Sequence, residues 1–153
     1  MLWTRYVGAN EAKLAWQMSD SAEFTRVVAE GETIASPEWD WCVKAEVAGL
    51  EPDTWYYYRF MAPDGTKSAI GRTRTLPQGP TSRFRMGVFS CSNYAFGHFN
   101  AYAHAAEAND LDLLLHLGDY YYEYGAGTYP AADESPPGRV LAPQSEIVQL
   151  ADY

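Results

Sequence analysis

Basic residues all but vanish from the second half of this sequence. Arg139 is the sole Lys or Arg in residues 86–153, against nine Asp and Glu; residues 1–85 hold ten bases and eleven acids. The formal net charge of −9 over 153 residues argues against nucleic-acid binding, which depends on Lys and Arg neutralising phosphates. Cysteine is scarce too. Cys42 and Cys91 lie in different segments, so no disulfide framework is visible. Cys42, between Trp41 and Val43, reads as a lone thiol with no role. No apolar run is long enough to span a membrane, and no secretory signal pattern is present. The chain opens directly in strand-like sequence at residues 1–6, which predicts further sequence upstream.

Apolar and aromatic residues are plentiful, at 47% and 15% of the chain. Such a composition is that of a folded chain rather than a disordered one, and the length suits one domain or two small ones. The acidic second half admits two explanations. It is a solubilising surface, or it is part of a site whose carboxylates need multivalent cations.

The first segment reads as all-β. Residues 13–18 alternate weakly, residues 24–29 form a short apolar run, and Trp41, Val43, Ala45 and Val47 alternate with polar neighbours. Residues 55–61 are aromatic and strand-forming. Gly31, Ser36-Pro37, Pro52-Asp53 and Pro63-Asp64-Gly65 supply turns between these runs. Short strands at regular spacing favour a β-sandwich. The string Leu50-Glu51-Pro52-Asp53-Thr54-Trp55-Tyr56 has the L-x-P-x-T-x-Y spacing of fibronectin type III domains. In those domains the Leu plugs the core and the Tyr hydroxyl bonds back to nearby backbone. A Pro-Asp turn followed by any aromatic strand gives the same string.

Leu76-Pro77-Gln78-Gly79-Pro80 breaks strand pairing and marks a boundary. The expected layout is a domain over residues 1–76, a linker over 77–82 and a second domain over 83–153. Beyond the linker the period changes. Residues 84–89 read as a strand. Phe99, Tyr102, Ala103 and Ala106 fall on one helical face, predicting a short helix over 99–108. Residues 111–117 are nearly all apolar, as in a strand covered on both faces. Strand, helix, strand is a βαβ unit with a parallel pair. Residues 125–143, rich in Gly, Pro and Ala, read as a loop, and residues 145–153 as the first turns of another helix.

Ligands of open α/β sheets bind at the carboxyl ends of the strands. Cys91 follows the first of these strands and Asp119 the second, so neighbouring strands would bring both to one point. Gly118 lets the backbone approach closely there, and Tyr122 can fold back over it. A thiolate, a carboxylate and a phenolate suit a trivalent or strongly Lewis-acidic ion better than Mg²⁺. Packing explains each piece equally well: a lone Cys after a strand, a common Gly-Asp turn, a cluster of tyrosines at 120–124. His104 falls on the polar face of the helix. His116 is placed to support the site through a hydrogen bond rather than as a ligand, and His98 carries no stronger signal.

These residues together resemble the PhoD-like alkaline phosphatases and phosphodiesterases, a branch of the metallophosphoesterases. The resemblance rests on Ser90-Cys91, on Gly97-His98-Phe99-Asn100-Ala101-Tyr102, and on His116-Leu117-Gly118-Asp119-Tyr120-Tyr121-Tyr122-Glu123-Tyr124. Gly71-Arg72-Thr73-Arg74-Thr75-Leu76-Pro77 resembles the end of that family's first domain. The resemblance implies a fibronectin type III-like domain followed by the start of an incomplete metallophosphoesterase domain. It implies that Cys91, Tyr122 and Asp119 bind Fe³⁺, with Asp119 bridging toward Ca²⁺, and that no catalytic residue stands apart from these ligands. It further implies hydrolysis of phosphate mono- or diesters by a metal-activated hydroxide, and secretion or periplasmic export of the full-length form. Later family motifs, an Asp-rich D-H-E region and His ligands, do not occur here, so the expectation is a fragment that is inactive alone. The alternatives are a non-catalytic fibronectin-type binding module and a purple-acid-phosphatase-like enzyme; the latter would need an earlier Asp-x-His-like ligand near residue 90.

Overall fold

Alternating side chains dictate most strands of the first half. In the computed structural model, which describes residues 1–8 and 10–153, these strands are β1 (Leu2–Arg5), β2 (Ala12–Ser19), β3 (Val27–Ala35), β4 (Cys42–Ala45), β5 (Trp55–Met61) and β6 (Gly71–Arg74). They lie in the first of two units, Met1–Thr81 and Ser82–Tyr153. β1 pairs with β4, and a four-stranded antiparallel sheet runs β3-β2-β5-β6. Along β2, Ala12, Leu14, Trp16 and Met18 are buried, while Lys13 points out. Both sheets feed one core: Leu2, Val43 and Ala45 from the short sheet cluster with Leu14, Trp16, Met18 and Phe60 from the long one. Tyr56 is also buried there, and its hydroxyl accepts the Glu51 N–H at 3.0 Å. Leu50 packs at the edge of the same cluster.

Four sequence expectations shift in this unit. The apolar run at residues 24–29 is not a continuous strand. Phe24 adopts φ 54° in a turn that Ser19 closes by donating from Oγ to the Arg26 carbonyl, and β3 begins only at Val27. Gly31, read as a turn, sits in the middle of β3 opposite Trp16. A Cβ at Gly31 would lie 2.6 Å from the Trp16 ring, so the missing side chain makes room for the indole. The strand expected at 41–47 is confined to Cys42–Ala45, because Asp40 and Trp41 turn with φ of 49° and 60°. Residues 71–74, read only as the approach to the linker, form the edge strand β6.

The second unit holds β7 (Met86–Phe89), α1 (Asn100–Ala108) and β8 (Leu113–His116). β7 and β8 pair in parallel, Met86 opposite Leu113 and Phe89 opposite His116. α1 ends at Asn109, which takes the left-handed conformation (φ 49°) that Asn adopts readily. The apolar run at 111–117 is not covered on both faces: Leu113, Leu114 and Leu115 are 44%, 63% and 41% exposed. A two-stranded sheet has no flanking strands to enclose them. Residues 145–149 do not form helical turns. Ile147 N–H donates to the Glu123 carbonyl, holding the segment extended, and only a 3-10 turn at Leu150–Asp152 follows. No helix among the described residues is long and apolar enough to cross a membrane.

Candidate metal centre

Parallel pairing puts the carboxyl ends of β7 and β8 at one edge. Hydrogen bonding continues past both strands there. Leu117 N–H donates to the Phe89 carbonyl at 2.8 Å, Cys91 N–H to Gly118 at 3.1 Å, and Ser92 N–H to Asp119 at 2.9 Å. The two loops are therefore zipped together at the backbone. The path is strained: Cys91, Gly118 and Asp119 have φ of 61°, 113° and 53°. Gly adopts such angles freely, whereas a non-glycine residue there costs on the order of 1–3 kcal/mol and is found where surrounding structure enforces it.

The two non-glycine residues in that conformation carry the chemistry. Cys91 Sγ lies 3.5 Å from Asp119 Oδ2, and the Tyr122 hydroxyl lies 3.4 Å from the same oxygen. Ser90 Oγ is 3.2 Å from the sulfur. Partial burial, a hydrogen bond to Cys91 and the negative charge of Asp119 push the Tyr122 phenol up to about 12. A bound cation inverts that electrostatic preference and favours the phenolate.

The donor set fits a Lewis-acidic ion. Ligands about 2.0–2.3 Å from a common metal stand roughly 3–3.5 Å from each other, which is the separation of Asp119 Oδ2 from both the thiol and the phenol. Among the described residues, no three His, Cys, Asp or Glu side chains gather as a metal-binding cluster. The third donor of this site is a phenol. The set does not fit a calcium cage, which needs six to eight oxygens, since Asp119 is the one carboxylate in these contacts.

The histidines divide. His98 Nδ1 contacts Arg139 at 3.1 Å, and the Arg139 guanidinium stacks over Tyr94 at 4.3 Å. His104 is exposed on α1. His116 is half-buried beneath the site, contacting Ser92, Tyr102 and the Gly118 N–H. Ser92 and Tyr102 were not singled out from the sequence as parts of this network. The available signal was Tyr102 itself, a phenol on an apolar helix face whose hydroxyl needs a partner. An open cavity of about 500 Å³ borders Cys91, Asn93, His98 and Tyr122.

Comparison with known proteins finds matches to both halves of the chain. Residues 1–77 match the family described as PhoD-like phosphatase, N-terminal domain, and residues 86–153 match PhoD-like phosphatase. Alkaline phosphatase D of Bacillus subtilis (strain 168) is 37% identical over 166 residues, covering 100% of this chain and 27% of the relative. A solved structure described as "Structure of PhoD" superposes with a TM-score of 0.81 at 31% identity, over 98% of this chain and 30% of the other. The chain thus spans less than a third of the length of either relative. The fold, mostly sheet with one α-helix, is that of the matched part of the solved structure. The chain belongs to the PhoD-like phosphatase family.

Proposed function

We propose that this chain carries the ferric-ion side of a metal-dependent phosphoesterase site, acting on phosphate mono- or diesters, with Cys91, Asp119 and Tyr122 as ligands. The observation that carries this reading is the convergence of a thiol and a phenol on one carboxylate oxygen, 3.5 and 3.4 Å away. When bound, a ferric ion supplies Lewis acidity toward a phosphoryl oxygen and toward water. The chain's own contribution is to hold three donors together, Cys91 and Tyr122 lining an open cavity, with the backbone zipper between residues 91–92 and 118–119 fixing their spacing. Asp119 alone cannot build a second, calcium-type cation site, which needs six to eight oxygens. We therefore expect ferric binding without turnover from these residues alone.

The same reading proposes the domain layout: a fibronectin type III-like domain over residues 1–76, a linker over 77–82, and the N-terminal part of the metallophosphoesterase domain over 83–153, begun by a βαβ unit. The Tyr56–Glu51 hydrogen bond and the parallel pairing of β7 with β8 support it. Export of the full-length form is proposed from the family alone.

Titration of the chain with ferric ion tests the site. A phenolate on ferric iron gives a visible charge-transfer band, and Tyr122→Phe is expected to abolish it. Cys91→Ala and Asp119→Asn are expected to weaken ferric binding while leaving the first unit folded. A colourless ferric complex sinks the assignment of Tyr122.

A further inference from the structure

We propose that Ser92, Tyr102 and His116 form a positioning clamp that fixes the Gly118–Asp119 hinge against the Cys91 loop. The inference rests on the ligand assignment above but concerns groups that assignment does not use. His116, the last residue of β8, accepts the Gly118 N–H at Nδ1, 3.3 Å away. In a neutral imidazole the proton then sits on Nε2. That nitrogen lies 3.0 Å from Ser92 Oγ and 2.9 Å from the Tyr102 hydroxyl, and it donates toward this pair of oxygens. Ser92 Oγ and the Tyr102 hydroxyl also contact each other.

With both ring nitrogens engaged, His116 is a positioning residue and not a metal ligand. Its partners come from different places. Tyr102 belongs to α1, Ser92 to the loop after β7, and Gly118 to the loop after β8. Ser92 closes the circuit, because its own N–H donates to the Asp119 carbonyl. One imidazole therefore ties the helix and both ligand-bearing loops together.

The need for a clamp follows from the backbone. Cys91 and Asp119 sit in the left-handed region, a conformation that reverts unless neighbouring contacts enforce it. Apolar packing offers little help, since the second unit buries only Ala95 and Pro130 among the described residues. Hydrogen bonds must supply the rigidity. The Tyr102 ring is held separately, edge-on to Phe89 at 4.8 Å and tilted against Phe99 at 5.5 Å. Tyr102→Phe therefore removes the hydroxyl and keeps the ring.

The test uses the whole chain and two readouts: amide hydrogen exchange at Gly118 and Ser92 without metal, and ferric affinity from the visible band. Outer-shell partners of metal ligands typically change affinity by about 10–100-fold when removed. Tyr102→Phe and His116→Phe are each expected to weaken ferric binding by that factor, with the band position unchanged because Tyr122 still ligates. Exchange at Gly118 is expected to quicken by about tenfold in His116→Phe, an opening-energy change of roughly 1.4 kcal/mol. His116→Asn, which restores an acceptor near the Nδ1 position, is expected to recover part of that protection. Should His116→Phe fail to fold, Tyr102→Phe still decides. Wild-type affinity together with wild-type exchange in the folded variants overturns the clamp. A wild-type chain that binds no ferric ion defeats the ligand assignment itself, and the clamp's function falls with it.

Discussion

The two units of this chain are held by different means. The first has an apolar interior: Leu2, Leu14, Met18, Val43 and Phe60 are each less than 5% exposed, and Trp16 is only 8% exposed. The second leaves Leu113, Leu114, Leu115 and Leu117 between 41% and 65% exposed, yet carries three consecutive backbone hydrogen bonds and a side-chain network around its strand ends. Area removed from water stabilises the first, at about 25 cal/mol per Å². Directional bonds position the second. The contrast teaches that rigidity at a site does not require a core directly beneath it, provided the polar groups satisfy one another.

Fluorescence separates the units cleanly, since all five Trp lie within residues 1–55. The largest expected effect is Trp16→Ala. It removes an indole from the core and from above Gly31, and the urea midpoint of Trp fluorescence should fall by the equivalent of about 3–5 kcal/mol. The ferric band of the second unit should survive at low urea; loss of both together would show that one unit depends on the other. Tyr56→Phe comes next. It leaves the Glu51 N–H without its acceptor and should cost about 1–2 kcal/mol, again in the fluorescence transition alone. Leu114→Gln probes the opposite regime. At 63% exposure it should change stability by less than about 0.5 kcal/mol while reducing uptake of an apolar dye. A loss of several kcal/mol at Leu114 would mean that the leucine is enclosed in solution, and the contrast between the units would fail.

The same contrast explains what was legible in the sequence. β2 was readable because its side chains alternate against a core, and β5 because it is aromatic and strand-forming. β3 was hidden by Gly31, whose role appears only when Trp16 is seen across the ladder. Residues 111–117 were misread in burial, since apolar composition does not say whether neighbours exist to cover it. At the site, the strand-end positions of Cys91 and Asp119 and the i, i+3 return of Tyr122 follow from local spacing. Ser92 and Tyr102 did not emerge, because a hydrogen-bond partner from another element has no signature in periodicity. Tyr102 counted there only as an apolar position on the helix face.

Acid should sharpen the comparison last and least. In the first unit Arg5 donates twice to the Asp40 carboxylate, at 3.0 and 2.8 Å, and this bond holds Asp40 below its ordinary value of 3.8. In the second unit Asp152 is also held low, by the N–H groups of Val148 and Gln149. A carboxylate depressed in the folded state contributes stability that is complete above the unfolded value. The contribution fades as pH falls through the folded one. Both units should therefore weaken on going from about pH 6 to about pH 3, but by different routes. The Arg5–Asp40 pair is exposed enough for salt to screen it, the Debye length shrinking from about 10 Å at 0.1 M to about 3 Å at 1 M. Bonds from backbone amides to Asp152 are not an ion pair and should respond less to salt. Urea midpoints by Trp fluorescence should thus fall less on acidification for Asp40→Asn than for the parent chain, and the difference between them should narrow in high salt. Identical acid responses of the two chains at low salt would show that the Arg5–Asp40 pair contributes nothing to the stability of the first unit.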